Sequence, residues 1–128
     1  MSDAKVFRQA DQAYVIEPSK ASVFAFVNSG NSSTMGGGLG VFCAGFELEW
    51  TVHYDEFLFI HRGNFKLCLG EDIYHAGPGD TIWLPANTAF TYIAEEDVWF
   101  FFAVYPASAS PAASQAIDYP NAGPQRVS

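Results

Sequence analysis

Basic residues are scarce in this sequence, and their scarcity limits the partners that the chain can have. Lys and Arg together number 6 among 128 residues, against 14 Asp and Glu, so the formal net charge is -8. Nucleic acid and anionic membrane surfaces both attract proteins through clusters of Lys and Arg. The composition therefore predicts a protein that binds neither nucleic acid nor a membrane surface.

Cysteines and long apolar runs are also scarce. Cys43 and Cys68 are too few to form a disulfide framework, and Cys43 lies in an apolar run where we expect a small buried hydrophobe. No apolar run reaches the length of about 18 residues that a membrane-spanning helix needs. Residues 1–5 lack the apolar core of a signal peptide. These features predict a cytoplasmic protein.

Apolar and aromatic residues, in contrast, are abundant. They make up 49% and 16% of the chain, and 12 residues are Phe. A composition this apolar excludes a disordered chain, and 128 residues suffice for one domain with a real core. Aromatic side chains suit the pleated surface of a sheet, so this core is predicted to be built from strands.

Alternation of apolar and polar residues begins near residue 41 and indicates an all-β fold. Phe46, Leu48, Trp50 and Val52 alternate with polar residues, and turn signals recur about every 8–12 residues. We expect at least eight strands and little helix. The predicted organisation is an N-terminal polar segment over residues 1–22, a β-barrel over 23–106 and an Ala/Ser/Pro-rich tail over 107–128.

Two strands have no alternation, and a third contains a glycine cluster. Residues 57–61 and 98–105 are almost continuously apolar, which predicts strands covered on both faces. Residues 36–40 contain four glycines. No Gly-Lys-Ser/Thr follows them, so we expect a bend or a close backbone approach at this strand and not a phosphate loop.

Two spaced half-motifs identify a more specific fold. The stretch Trp50-Thr51-Val52-His53-Tyr54-Asp55-Glu56 is closed by Gly63, and Gly79-Asp80 is followed by Pro85 and Phe90. In this register the segment 45–106 resembles a small single-domain cupin, which implies a jelly-roll β-barrel, also called a double-stranded β-helix. The common cupin metal site has His where this chain has Trp50, Val52 and Phe90, and Glu where it has Glu56. The resemblance therefore implies neither a bound metal nor a cofactor.

A closer resemblance is to the EutQ family, cupins of ethanolamine utilisation that also lack the metal-binding histidines. It is carried by Trp50-Thr51-Val52 and Tyr54-Asp55-Glu56, by the glycine-rich strand before them, and by Ala103-Val104-Tyr105-Pro106. The resemblance covers roughly residues 36 to 106. We transfer the fold from it and not the pathway.

Glu56 is the one ionisable residue that the motif places inside the barrel. Its expected neighbours are apolar, so burial should raise the pKa of its carboxyl and make it a candidate general acid or base. Tyr54 and Tyr92 are its candidate partners in proton transfer. The predicted catalytic residues are Glu56 and Tyr54, and the predicted pocket is lined by Trp50, Val52, Leu58, Phe90 and Tyr92.

The sequence leaves open whether the protein is an enzyme. The favoured hypothesis is an aromatic-lined cavity that binds a small organic molecule, with acid–base chemistry at Glu56. One alternative is a non-enzymatic binding or assembly module, and the other is a metalloenzyme with variant ligands. The metalloenzyme requires a register shift that turns Glu49, Thr51 and His53 inward beside Glu56.

Apolar residues on the face opposite the expected cavity predict an oligomer. Phe57, Phe59, Trp99 and Phe101 fall on this face, and a monomer would expose them as a large patch. A symmetric homodimer that packs sheet against sheet would cover the patch.

Overall fold

The computed structural model describes residues 4–11, 14, 16–109 and 117–119, and the described chain is built almost wholly from strands. The strands are β1 Ala21–Val27, β2 Gly36–Phe42, β3 Glu47–Thr51, β4 Asp55–Arg62, β5 Phe65–Leu69, β6 Asp72–Ala76, β7 Thr81–Leu84, β8 Ala89–Ala94, β9 Val98–Tyr105 and β10 Ile117–Tyr119. Two 3₁₀ turns, Gln9–Asp11 and Ala107–Ala109, complete the secondary structure of these residues. No helix among them is long and apolar enough to cross a membrane.

The strands form two antiparallel sheets that enclose one core. The larger sheet has the order β10-β1-β2-β9-β4-β7, and the smaller has the order β3-β8-β5-β6. Consecutive strands repeatedly change sheet, as β3 and β4 do, which is how a jelly roll is connected. The architecture confirms the predicted all-β barrel, and ten strands exceed the eight that were expected. Strand β10 lies in the tail and pairs with β1.

Side chains from both sheets interleave in the core. The larger sheet contributes Leu58 and Ile60 from β4, while the smaller contributes Phe65, Phe90 and Tyr92. The alternation seen in the sequence continues through most strands, because successive side chains point to opposite faces of a sheet. Cys43 is buried and forms no disulfide, as expected.

The glycine cluster lies in β2, where neighbouring groups leave no room for side chains. A Cβ at Gly38 would lie 1.7 Å from the carbonyl oxygen of Phe24, and one at Gly40 would lie 2.4 Å from the ring of Phe100. Real Cβ atoms do not come this close to other heavy atoms. The glycines therefore permit close packing on both sides of β2, as the sequence predicted.

Strands β4 and β9 differ from the prediction that both of their faces are covered. Phe57, Phe59 and Phe101 are 51%, 42% and 46% exposed, although Leu58 and Phe102 behind them are buried. The core lies on one side of the sheet, and the described part of the chain leaves these three residues open on the other, which is the face that the sequence predicted a monomer would expose. A continuous apolar run does not distinguish burial within a chain from an exposed apolar face.

Part of this outer face is covered by the N-terminal segment. Tyr14 packs edge-on against Phe24 and Trp99, with ring centroids 5.2 and 4.9 Å apart. The Arg62 guanidinium lies over the Trp99 ring at 5.2 Å. Trp99 therefore lies on the predicted outer face but is half-buried, less exposed than Phe57, Phe59 and Phe101.

Candidate active site

The positions that hold the metal ligands in the common cupin site come together at one end of the barrel. Trp50 and Phe90 are direct cross-strand partners on β3 and β8. The backbone of Val52 exchanges hydrogen bonds with the turn before β8, donating to Thr88 and accepting from Asn87 at 3.1 and 2.7 Å. These bonds fix the two half-motifs against each other.

Local turn chemistry maintains this arrangement. Asn87 stands where the motif usually has Gly, and its φ of 72° lies in the left-handed region that Asn tolerates better than most residues. The Asp55 carboxylate accepts a 2.8 Å hydrogen bond from the amide of Ala86, and the Asp80 carboxylate accepts one of the same length from Gly77. Both aspartates therefore brace turns and do not enter the barrel.

Glu56 shares the inner face of β4 with Leu58 and Ile60. Its neighbours in the sheet are Leu84 on β7 and Val104 on β9, both buried and apolar. Glu56 is part-buried as a residue, and burial of its carboxyl raises the pKa to about 8. A carboxyl with this pKa is mostly protonated at neutral pH and can both donate and accept a proton near pH 8.

Tyr92 lies on β8 of the smaller sheet, close enough to Glu56 on the larger sheet for their charges to interact. Its ring packs among Phe42, Phe65 and Phe90 at centroid distances of 5.2, 5.2 and 4.4 Å. The residue is 3% exposed, and no group in the described chain lies within hydrogen-bonding distance of its hydroxyl. Burial raises the pKa of Tyr92 well above its ordinary value, and the charges of Glu56 and Tyr54 raise it further.

Seven inward-facing residues make up what we call the inner site: Trp50, Val52, Tyr54, Glu56, Leu58, Phe90 and Tyr92. All are buried except Trp50 and Glu56, which are part-buried. Tyr54 lies in the bend between β3 and β4, close enough to Tyr92 for their charges to interact. The structure thus places every predicted site residue in one region of the core. Sequence reasoning missed Phe42, which ends β2, and Phe65, which begins β5; both rings pack against Tyr92.

The register shift required by the metalloenzyme alternative is absent. Glu49 and His53 are exposed, while Leu48 and Val52 on the same segment are buried, so β3 has the unshifted register. His61 and His75 are exposed as well. Across residues 4–11, 14, 16–109 and 117–119, no three His, Cys, Asp or Glu side chains cluster as a metal site would require. The hypothesis that Glu49, His53 and Glu56 bind a metal together was wrong.

A groove follows the seam between β6 and β7, the edge strands of the two sheets. Its volume is about 610 Å³, and its lining includes Leu67, Tyr74 and Ile82. Leu67 is the cross-strand neighbour of Tyr92, and Ile82 that of Leu58. The floor of this seam groove is therefore one strand away from the inner site on either sheet.

Five aromatic side chains lie exposed on the outer face of the larger sheet, and we call them the outer patch: Phe57, Phe59, Trp83, Phe101 and Tyr105. Phe57 and Trp83 contact each other edge-to-face at 6.0 Å. Trp83 and Tyr105 were not predicted to belong to this surface. Each follows or precedes a buried residue, Val104 or Leu84, in an alternating strand, and this alternation predicts that the aromatic side chain faces outward.

Known structures share this fold at low sequence identity. The EutQ protein of Clostridium difficile is 20% identical, with a TM-score of 0.65 over 83% of this chain and 77% of that one. A putative ethanolamine utilization protein Q of Salmonella typhimurium LT2 is 22% identical, with a TM-score of 0.60 over 65% and 67%. The ectoine synthase of P. lautus is 15% identical, with a TM-score of 0.69 over 80% and 78%.

The family assignment comes from the sequence itself. No protein of curated function matches the chain significantly. The model of the family described as ethanolamine utilisation protein EutQ, however, matches residues 4–110, which is most of the chain. The match includes both half-motifs and the whole inner site, and the fold agrees with it. The chain belongs to the EutQ family of cupins.

Proposed function

We propose that the inner site binds a small organic molecule and that Glu56 exchanges a proton with it. The observation that carries the proposal is the pairing of a carboxyl whose pKa burial raises to about 8 with a buried tyrosine hydroxyl that has no partner in the described chain. Isolated polar groups in an apolar core destabilise a fold, and such groups concentrate at functional sites. Tyr54, two residues before Glu56 and close to Tyr92, is the proposed orienting partner of Glu56.

Other ligand classes fit the protein less well. The charge of -8 opposes binding to nucleic acid and to anionic membranes. The aromatic lining instead suits a compact organic molecule, since pockets for such ligands are mostly apolar with a few convergent polar groups. We propose no metal or cofactor for this chemistry.

Glu56→Gln tests this proposal, because it preserves shape and removes the titrating proton. Ligands can be found by a thermal-shift screen of small organic molecules, and their turnover followed by mass spectrometry. We expect the variant to retain binding and to lose turnover by about 10²–10⁴-fold, the usual contribution of a general acid or base. Ligands that bind equally well after Trp50→Ala and Tyr92→Phe would place the functional site elsewhere.

We also propose that the protein is a homodimer joined through the outer patch, and a non-enzymatic assembly module is the second candidate function. The five exposed aromatic residues favour an interface, because monomers rarely expose contiguous apolar surface of this kind. The patch spans the adjacent strands β9, β4 and β7, and such a face can meet its own copy symmetrically. If the protein forms a dimer but no ligand is found in any screen, an assembly role would be favoured over a catalytic one.

A further inference from the structure

The polar groups of the inner site restrict the charge that a ligand can have. Its only ionisable side chains are Glu56, Tyr54 and Tyr92. None of the described Lys and Arg residues is buried, and Lys66, on the outer face of β5, pairs with Glu95 at 3.2 Å. An anionic ligand would therefore lie beside a carboxyl in apolar surroundings, with no buried cation of the described chain to neutralise it. Burial of an uncompensated charge is among the costliest changes in a protein interior.

The Tyr92 hydroxyl restricts the ligand further, because it is positioned as a donor. Three aromatic rings hold the Tyr92 ring in place, and no acceptor in the described chain reaches its hydroxyl. Burial and the charges of Glu56 and Tyr54 raise its pKa well above 10, so the hydroxyl keeps its proton at every physiological pH. A fixed, permanently protonated donor in a dry site matches a ligand oxygen that accepts hydrogen bonds.

Glu56 lies on the inner face of the other sheet and differs from that donor in ionisation. Tyr92 is close enough to both Glu56 and Tyr54 for their charges to interact, and the sheet neighbours of Glu56, Leu84 and Val104, are apolar. Burial raises the pKa of Glu56, and none of the described Lys and Arg residues is buried beside it. When ionised, this carboxylate is a stronger base than one in water. The smaller sheet thus contributes a donor and the larger sheet a base.

We propose that the ligand is an uncharged carbonyl compound, that Tyr92 donates a hydrogen bond to its carbonyl oxygen, and that Glu56 removes a proton from the adjacent carbon. This inference rests on the proposed function and names its substrate class. The apolar lining of the inner site, and of the seam groove one strand away, suits a hydrocarbon body attached to that carbonyl.

The step balances without another reactant. The Glu56 carboxylate takes the proton from the carbon next to the carbonyl. The electron pair of that C–H bond forms a carbon–carbon double bond, and the carbonyl π electrons move to the oxygen. Tyr92 stabilises the resulting enolate oxygen by hydrogen bonding, as fixed donors do where negative charge develops. Glu56 then returns the proton to the same carbon or to one conjugated with it, giving epimerisation or isomerisation.

Three probes of matched ring size test the charge requirement: cyclohexanone, cyclohexylammonium and cyclohexanecarboxylate. Binding to the full-length protein is measured by ligand-observed NMR at pH 7. We expect cyclohexanone to bind at least tenfold more tightly than either ion. Tighter binding of either ion would overturn the inference about substrate charge, but it would still support a site for small molecules. If none of the three binds, the inference is refuted. The proposed function is refuted as well only if the thermal-shift screen of small organic molecules finds no ligand.

Deuterium exchange tests the chemical step with the same ketone. In D₂O, the wild-type protein should incorporate deuterium beside the carbonyl of cyclohexanone faster than buffer alone, with a rate that rises as pH increases through about 8. Glu56→Gln should reduce this rate by about 10²–10⁴-fold and Tyr92→Phe by about 10²–10³-fold. The same chemical change on an exposed side chain of β3, Glu49→Gln, is the matched control and should leave the rate unchanged.

Two results would refute the proton transfer. Cyclohexanone that binds without exchanging above the buffer rate would show that the carbonyl is not activated. Exchange that survives in Glu56→Gln would show that another group is the base. Cyclohexanone affinity should also fall in Tyr92→Phe and persist in Glu56→Gln. These different effects on affinity distinguish the donor, Tyr92, from the base, Glu56, even if either substitution alters stability.

Discussion

Replacing Glu56 by Gln should change how the stability of the protein depends on pH. The ordinary pKa of a glutamate is 4.5, and burial raises that of Glu56 to about 8. Between these two values the folded protein holds a proton that the unfolded chain releases. Stability contributed by the neutral carboxyl is therefore complete below pH 4.5 and is lost as pH rises towards 8.

The magnitude follows from the difference between the two pKa values. At about 1.36 kcal/mol per pH unit, the interval from 4.5 to about 8 corresponds to a loss of about 5 kcal/mol above pH 8. At pH 7 the loss is about 3 kcal/mol, because the folded carboxyl is still largely protonated. Relaxation of the structure around an ionised carboxylate lowers these values, so the expected loss is about 2–4 kcal/mol.

Urea unfolding at pH 4, 7 and 9 measures this effect. The substituted glutamine side chain does not titrate, so the variant should resemble the wild type at pH 4 and become the more stable protein at pH 7 and 9, by about 2–4 kcal/mol. Glu49→Gln, an identical change on the exposed face of β3, is the control for the lost charge. Parallel stability profiles of wild type and Glu56→Gln would refute the claim that the carboxyl is buried without a compensating partner.

Three further predictions concern the outer patch, the metal-site positions and the glycine-rich strand. Phe59→Glu should halve the mass measured by light scattering or precipitate the protein, whereas Ile73→Glu, an exposed position on β6, should do neither; a wild-type monomer at micromolar concentration would contradict the dimer. Chelators should leave the melting temperature unchanged, because the side chains of Trp50, Val52 and Phe90 offer no lone pair to a metal. A fall of several degrees with EDTA that a divalent metal restores would show that the protein binds a metal. Gly38→Ala should cost more than about 3 kcal/mol, since its Cβ would lie 1.7 Å from the carbonyl oxygen of Phe24. Gly70→Ala, where nothing lies within 4 Å but φ is 63°, adds only the strain of a left-handed backbone and should cost clearly less than Gly38→Ala.

The sequence by itself determined the features that depend on neighbouring residues in the chain, namely which side chains share a face of a strand and where the turns fall. Alternating side chains fix which residues share a face of a strand, so the order of residues along β4 was enough to place Glu56, Leu58 and Ile60 together. Turn residues fix where strands stop, and Asn87 adopts the left-handed conformation that the motif's glycine position requires. The strand count, the jelly roll and the predicted site therefore depended on patterns that extend over only a few residues.

Tertiary structure decided what depends on partners distant in the chain. Alternation placed Phe57 and Phe59 together on the outer face of β4, but it could not say how much of that face the rest of the chain covers, which only the sheet order and the packing decided. The missing partner of the Tyr92 hydroxyl, within the described residues, is likewise a property of the packed core, since hydrogen bonding requires atoms brought together from different strands. Sequence periodicity fixes the direction in which a side chain points, whereas only the assembled sheets determine what it meets there.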